Sequence, residues 1–280
     1  MPRLTVSILI AAKRGAGVSG DVVGWIEAQR PEVIALVVFG CSYVVVALLL
    51  IASAPLARRP IGADLKATTP VMLTPLSVIF GLLIAFLATR VWNNLDRASS
   101  YVAQEASSIR ESLVLGSELP PEVRASFRQQ IRVYLRFIES DDWPAMRMGQ
   151  ATLMETPKGL AEAVHIVVSF NPTTRSQEVI QQHLVSAIER TLEARRYRIL
   201  LSQGSISPLQ WLVIVILDVL LLATIAMVHV ERPRTALINM FALSTGIAAC
   251  LALLMVHDRP FSAGGFTLEP AALREIAVGD

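Results

Sequence analysis

LTPLSVIFGLLIAFLATRVWNNLDRASSYVAQEASSIRESL, running from Leu73 to Leu113, carries two kinds of helix in one stretch. The first part is uncharged until Arg90 and extends to Trp92. That is close to the roughly 20 apolar residues a helix needs to cross a bilayer core. The second part is charged, yet Leu95, Ala98, Val102, Ala106, Ile109 and Leu113 recur at three- and four-residue steps, an apolar stripe on one helix face. No breaker separates the parts. The stretch therefore predicts one long helix that starts in a membrane and continues into water.

Three further apolar blocks lie outward from it. Val33 to Ala54 carries no charge and follows Pro31-Glu32, a pair suited to a helix start. Leu209 to Val230 follows Ser207-Pro208 and contains one acid, Asp218. Ala236 to Val256 ends at His257, Asp258 and Arg259. The whole chain is 53% hydrophobic and 17% charged, with a mean hydropathy of +0.53. Soluble domains carry about 25% charged residues. The expected fold is an all-α membrane protein with four transmembrane helices, two plus two, flanking a helical cytoplasmic segment.

The expected parts are a cytoplasmic N-terminal tail (1–32), the first two spans (33–92), a helical cytoplasmic region (93–208), spans three and four (209–257) and a cytoplasmic C-terminal tail (258–280). Leu4 to Ala12 is apolar but is followed, not preceded, by Lys13-Arg14, the wrong order for a signal peptide. It reads as a retained tail lying on the membrane surface. The connecting loops, Pro55 to Met72 and Glu231 to Thr235, hold Arg58, Arg59, Lys66, Arg232 and Arg234. The other side holds more basic residues near the spans: Arg30, Arg97, Arg110, Arg190, Arg195, Arg196, Arg198, Arg259 and Arg274. This asymmetry places the central region in the cytoplasm.

Within that region, Leu119-Pro120-Pro121-Glu122 ends one helix and opens another, with Val123, Phe127, Ile131, Tyr134 and Ile138 on one face. Asp141-Asp142-Trp143-Pro144 reads as the next break. Thr156-Pro157 opens a helix through Leu160, Val164 and Val167 that Asn171-Pro172 ends. Thr173 or Ser176 is the expected cap of the last helix, striped by Ile180, Leu184, Ala187, Ile188 and Thr191.

The chain is not expected to be an enzyme, and no cofactor or metal is expected. His165, His183, His229 and His257 are far apart, and no P-loop, GxSxG or HExxH occurs. Gly15 to Gly20 is glycine-rich but follows no strand pattern. Acidic and basic residues alternate, which argues against nucleic acid. Cys41 and Cys250 fall inside transmembrane blocks and read as small apolar packing residues.

One pattern points to function. At about 100° per residue, Thr74, Val78, Leu82, Ala85 and Thr89 fall within about an 80° sector, and Asp96 shares it. Such a stripe suits a narrow pore gated by apolar constriction, and equally suits ordinary helix packing. Periodicity leaves both open. Repeated around a symmetric oligomer, Asp96 would form an acidic ring that favours cations. Asp218, inside the third span, is either a functional acid or a structural partner of a serine, a threonine or Arg90.

Pro75-Leu76-Ser77, Gly81 and Thr89-Arg90-Val91-Trp92-Asn93 resemble the second-span pattern of bestrophins, P-[IL]-S-x-x-x-G followed by T-R-W-W-N. Glu105-Ala106, Leu119-Pro120, Tyr134, Asp142-Trp143-Pro144 and Asp258-Arg259-Pro260-Phe261 are similar to a bacterial bestrophin-like domain family, across roughly residues 33 to 270. The resemblance implies a homopentameric ion channel in a bacterial inner membrane, with cytoplasmic termini, membrane lipid around it and permeant ions within. Its neck would fall on Thr74, Val78 and Leu82, and its selectivity would be for anions. Thr74 departs from the larger apolar residues usual there, and the acidic calcium-binding cluster of animal bestrophins has no counterpart. The last motif reads as a turn that fixes packing at the end of the fourth span. Two alternatives stand beside the channel. One is a non-conducting scaffold or sensor whose cytoplasmic helices bind a protein; the other is a transporter coupled through Asp218.

Overall fold

The computed structural model describes residues 29–55, 61–155, 157–204, 206–262 and 268–279, with backbone alone at 61–69, 278 and 279. The Leu4–Ala12 run, the Gly15–Gly20 stretch, Arg58, Arg59 and Thr156 lie outside the described residues, as does the side chain of Lys66. All regular structure among the described residues is helical.

Helix α1 (Pro31–Ser53) opens on its proline, as expected where the first backbone donors have no partner. Helix α2 (Ile61–Gly116) runs 56 residues without interruption, so span and charged stripe do form one helix. It starts earlier than the expected loop to Met72 allows, and Pro70 and Pro75 lie inside it. Each removes one backbone donor from a helix that neighbouring turns keep intact.

Helix α3 (Pro121–Phe137) buries Phe127, Ile131 and Tyr134. The expected break at Asp141-Pro144 is absent: a π-helical turn (Ile138–Asp142) carries the chain directly into α4 (Trp143–Arg147). Pro144 comes just after that π-helical turn, and the altered hydrogen-bond register there lets the helix continue past a residue that has no N–H. The chain leaves the helix at Gly149, whose φ of +66° suits glycine. Helix α5 (Leu160–Ser169) follows, then α6 (Arg175–Ser202). Its cap is Thr174, not Thr173 or Ser176; the Thr174 side chain accepts from the Gln177 N–H, while Thr173 bonds the Gln177 side chain. Helix α7 (Pro208–Val228) has a capping box of Ser207 and Gln210. Helices α8 (Pro233–His257) and α9 (Ala271–Gly279) complete the chain.

Two compact units result. The first contains α1, α2 as far as Trp92, and residues 205–258. Its core joins Ile34, Phe80, Leu87, Val91, Trp211 and Leu254. Tyr43 stacks on Phe241 at 4.7 Å, and Trp92 on His257 at 5.4 Å. Both carboxylate oxygens of Asp258 accept from the Ile206 N–H, at 3.0 and 2.9 Å. Four helices are long and apolar enough to cross a membrane: α1, α2 from Pro70 onward, α7 and α8. The all-α membrane fold is as expected.

The second unit runs from Asn93 to Gly204 and resumes at Arg259. Ile109, Phe127, Ile131, Leu160, Leu184 and Ile188 are buried together. Arg259 and Pro260 accept backbone bonds from Ser262 (3.2 Å) and Leu268 (2.9 Å). This turn sets Phe261 edge-on to Trp143 at 5.5 Å. Gly159 opens α5 at φ +85°, and a Cβ there would lie 2.4 Å from the Gln130 carbonyl oxygen and 2.7 Å from the Tyr134 nitrogen. Gly159→Ala should therefore destabilise this unit by about 2–4 kcal/mol, strain and overpacking together. Urea unfolding of the full chain in detergent measures it; an unchanged midpoint would refute it.

Candidate functional site

Thr74, Val78, Leu82, Ala85 and Thr89 are all exposed on α2, Val78 and Leu82 at 54% each. The residues that α2 packs into the first unit are Phe80, Leu87 and Val91. At 100° per residue these lie about 150° around the helix from the centre of the stripe. Within one chain the stripe thus faces away from the core. The Thr89 hydroxyl donates to the Ala85 carbonyl at 2.9 Å, folding its polarity back onto the helix. Arg90 leaves the stripe and donates to Gln210 Oε1 at 3.3 Å, so it meets the first turn of α7 and not Asp218. Asp96 is exposed in the second unit and has no ion-pair partner among the described residues.

Asp218 is buried on α7, and its Oδ1 has no hydrogen-bond partner. Among the described residues it meets no serine, threonine or Arg90 partner. Cys41 and Cys250, expected to pack, are exposed free thiols. A small apolar side chain on a membrane helix can face outward as readily as inward, since apolar side chains find no loss against lipid.

The second unit holds a charged cluster that sequence reasoning did not assemble. Arg198 Nε and Nη2 donate to Glu105 at 2.7 and 3.1 Å, and Nη2 also reaches Asp142 at 3.2 Å. Arg195 grips Asp142 bidentately at 2.7 and 2.9 Å. The Tyr134 hydroxyl donates to Glu105 Oε1 at 2.6 Å. Arg198 lies 5.1 Å above the Trp143 ring, and its Nη1 faces Met146 Sδ at 3.4 Å. All four charged groups are buried, and two acids balance two bases. The cluster ties α2, α3, the π-turn, α4 and α6 together. Glu105, Tyr134 and the Asp142-Trp143 pair had stood out as motif residues; their common purpose emerges only in space.

Burial raises the Tyr134 phenol well above its ordinary range, and the neighbouring Glu105 raises it further. Burial alone would lower the Arg198 guanidinium, but Glu105 reverses that and holds it more firmly charged. The folded protein therefore keeps the Tyr134 proton longer than the unfolded chain does. Its stabilisation is whole below about pH 10 and is lost as pH rises toward the higher folded value. Thermal unfolding should lose stability above pH 10 more steeply in wild type than in Tyr134→Phe. Identical alkaline slopes would refute this.

Among the described residues no group of three histidine, cysteine, aspartate or glutamate side chains is arranged to hold a metal. The Bestrophin-like domain family matches residues 40–273. No curated protein and no solved structure matches the chain.

Proposed function

The chain belongs to the bestrophin-like domain family, and from that premise we propose that identical copies assemble into an ion channel, a pentamer, with α2 lining the pore. The observation that supports this most is the stripe of Thr74, Val78, Leu82, Ala85 and Thr89, exposed on the side of α2 away from its packed face. Among the described residues, packing within one chain leaves this stripe exposed, which supports the pore reading over the packing alternative.

In this reading Thr74, Val78 and Leu82 form the neck. Val78 and Leu82 ring it with apolar side chains and gate it by dewetting. Asp96 stands at the inner mouth. The termini and the central unit are cytoplasmic, in accord with the basic residues that flank the spans on that side.

Purified protein in planar bilayers should pass single-channel current, and native mass spectrometry should count five subunits. Val78→Ala or Leu82→Ala widens the constriction, so conductance or open probability should rise about twofold or more at equal expression. Absence of current under all conditions would favour the scaffold. Unchanged currents in both variants would return these residues to ordinary surface.

A further inference from the structure

Helices α1, α7 and α8 of the first unit enclose a cavity of about 230 Å³, which is partly open. Valines, Leu251 and Met255 make most of its wall. Four lining residues break that character: Cys41, Ser42, Trp211 and Asp218. Asp218 and Trp211 are each 7% exposed, and neither Asp218 Oδ1 nor Trp211 Nε1 has a hydrogen-bond partner. They are seven residues apart on α7, two turns along one helix face.

A carboxyl group near the middle of a membrane span is expensive unless something neutralises it. No basic residue lines the cavity. Arg90, the candidate counter-ion from the sequence, is turned to Gln210. Among the described residues no cation reaches it, so the group is neutralised either by its own proton or by a cation that enters the cavity. Hard inorganic cations take several oxygen ligands, whereas this wall offers one carboxyl, one hydroxyl and otherwise hydrocarbon, sulfur and an indole. An organic ammonium suits it better. Its N–H donors match the carboxylate, its apolar body matches the valines, and an indole face attracts a cation. The volume is below the roughly 300–1,000 Å³ of sites for drug-sized ligands, so the ligand is small.

We propose that this cavity is a binding site for a small organic monocation, an amine with an apolar body, held by its ammonium group on Asp218. None of the lining residues belongs to α2. The site is therefore independent of the pore assignment, and its test needs no current.

Hexylamine is a suitable probe, with hexan-1-ol and hexanoate as controls of equal apolar length. In full-length protein in nanodiscs, hexylamine should slow alkylation of Cys41 by N-ethylmaleimide about tenfold at ten times its Kd. Cys250, which does not line the cavity, serves as the internal reference and should react at its original rate. Neither control should protect Cys41. Asp218→Asn should abolish protection by the amine. Val215→Phe fills the cavity and leaves the carboxyl in place; it should abolish protection as well and guards against misfolding of the first variant. Equal protection by hexan-1-ol, or undiminished amine protection in Asp218→Asn, would overturn the proposal.

Discussion

Arg198→Met should destabilise the second unit by about 3–5 kcal/mol, the usual cost of stranding one member of a buried ion pair. Arg198 and Glu105 are both 0% exposed, so water cannot replace the lost guanidinium. Glu105 would keep only the Tyr134 hydroxyl, and Asp142 would keep Arg195. Most of the loss is therefore the price of an uncompensated carboxylate at Glu105. This has a checkable corollary. Adding Glu105→Gln to Arg198→Met removes that charge and should recover a large part of the stability. Glu105→Gln alone should cost less than Arg198→Met, because Arg198 still has Asp142. Urea unfolding of the full chain in detergent, followed by near-ultraviolet circular dichroism, gives the three midpoints. A double variant no better than Arg198→Met would show that lost packing, not stranded charge, dominates.

The second large effect is on selectivity and rests on the proposed pore. Asp96→Lys should swing the zero-current potential in a salt gradient toward the anion side, within limits of about ±59 mV per tenfold gradient for monovalent ions. Asp96 is exposed and has no ion-pair partner among the described residues, so its charge is available to a ring of subunits. Such a ring concentrates cations and repels anions. Wild type should therefore prefer cations, Asp96→Asn should weaken the preference, and Asp96→Lys should reverse it. Arg90 does not oppose this, being held on Gln210 away from the stripe. An anion-selective wild type, or a potential indifferent to both substitutions, would end the idea and leave Asp96 a solvated surface charge.

The sequence alone determined the parts of this protein that depend on residues close in the chain. Length and hydropathy gave the four membrane-capable helices, because a span needs only about 20 apolar residues in a row. Three- and four-residue spacing showed that α2 continues past its span, since helix faces repeat locally. Where local signals were punctuation, they misled at two points. Pro144 starts α4 without a break, and Thr174 takes the cap. A proline removes one donor, and whether that ends a helix depends on what the surrounding turns contribute.

Tertiary structure alone decided the rest. Glu105, Tyr134, Asp142, Arg195 and Arg198 are up to 93 residues apart, and no period links them. A charge is tolerated inside a core only where its partners converge in space, and that convergence is a property of packing. The sequence placed Asp218 in a membrane span, but only the packing of α1 and α8 around α7 set it beside a cavity, without a partner among the described residues. For the α2 stripe, spacing gave its members. Which side of the helix stays open depends on Phe80, Leu87 and Val91 packing the opposite face into the core, a matter of van der Waals fit between helices that spacing along one helix does not specify.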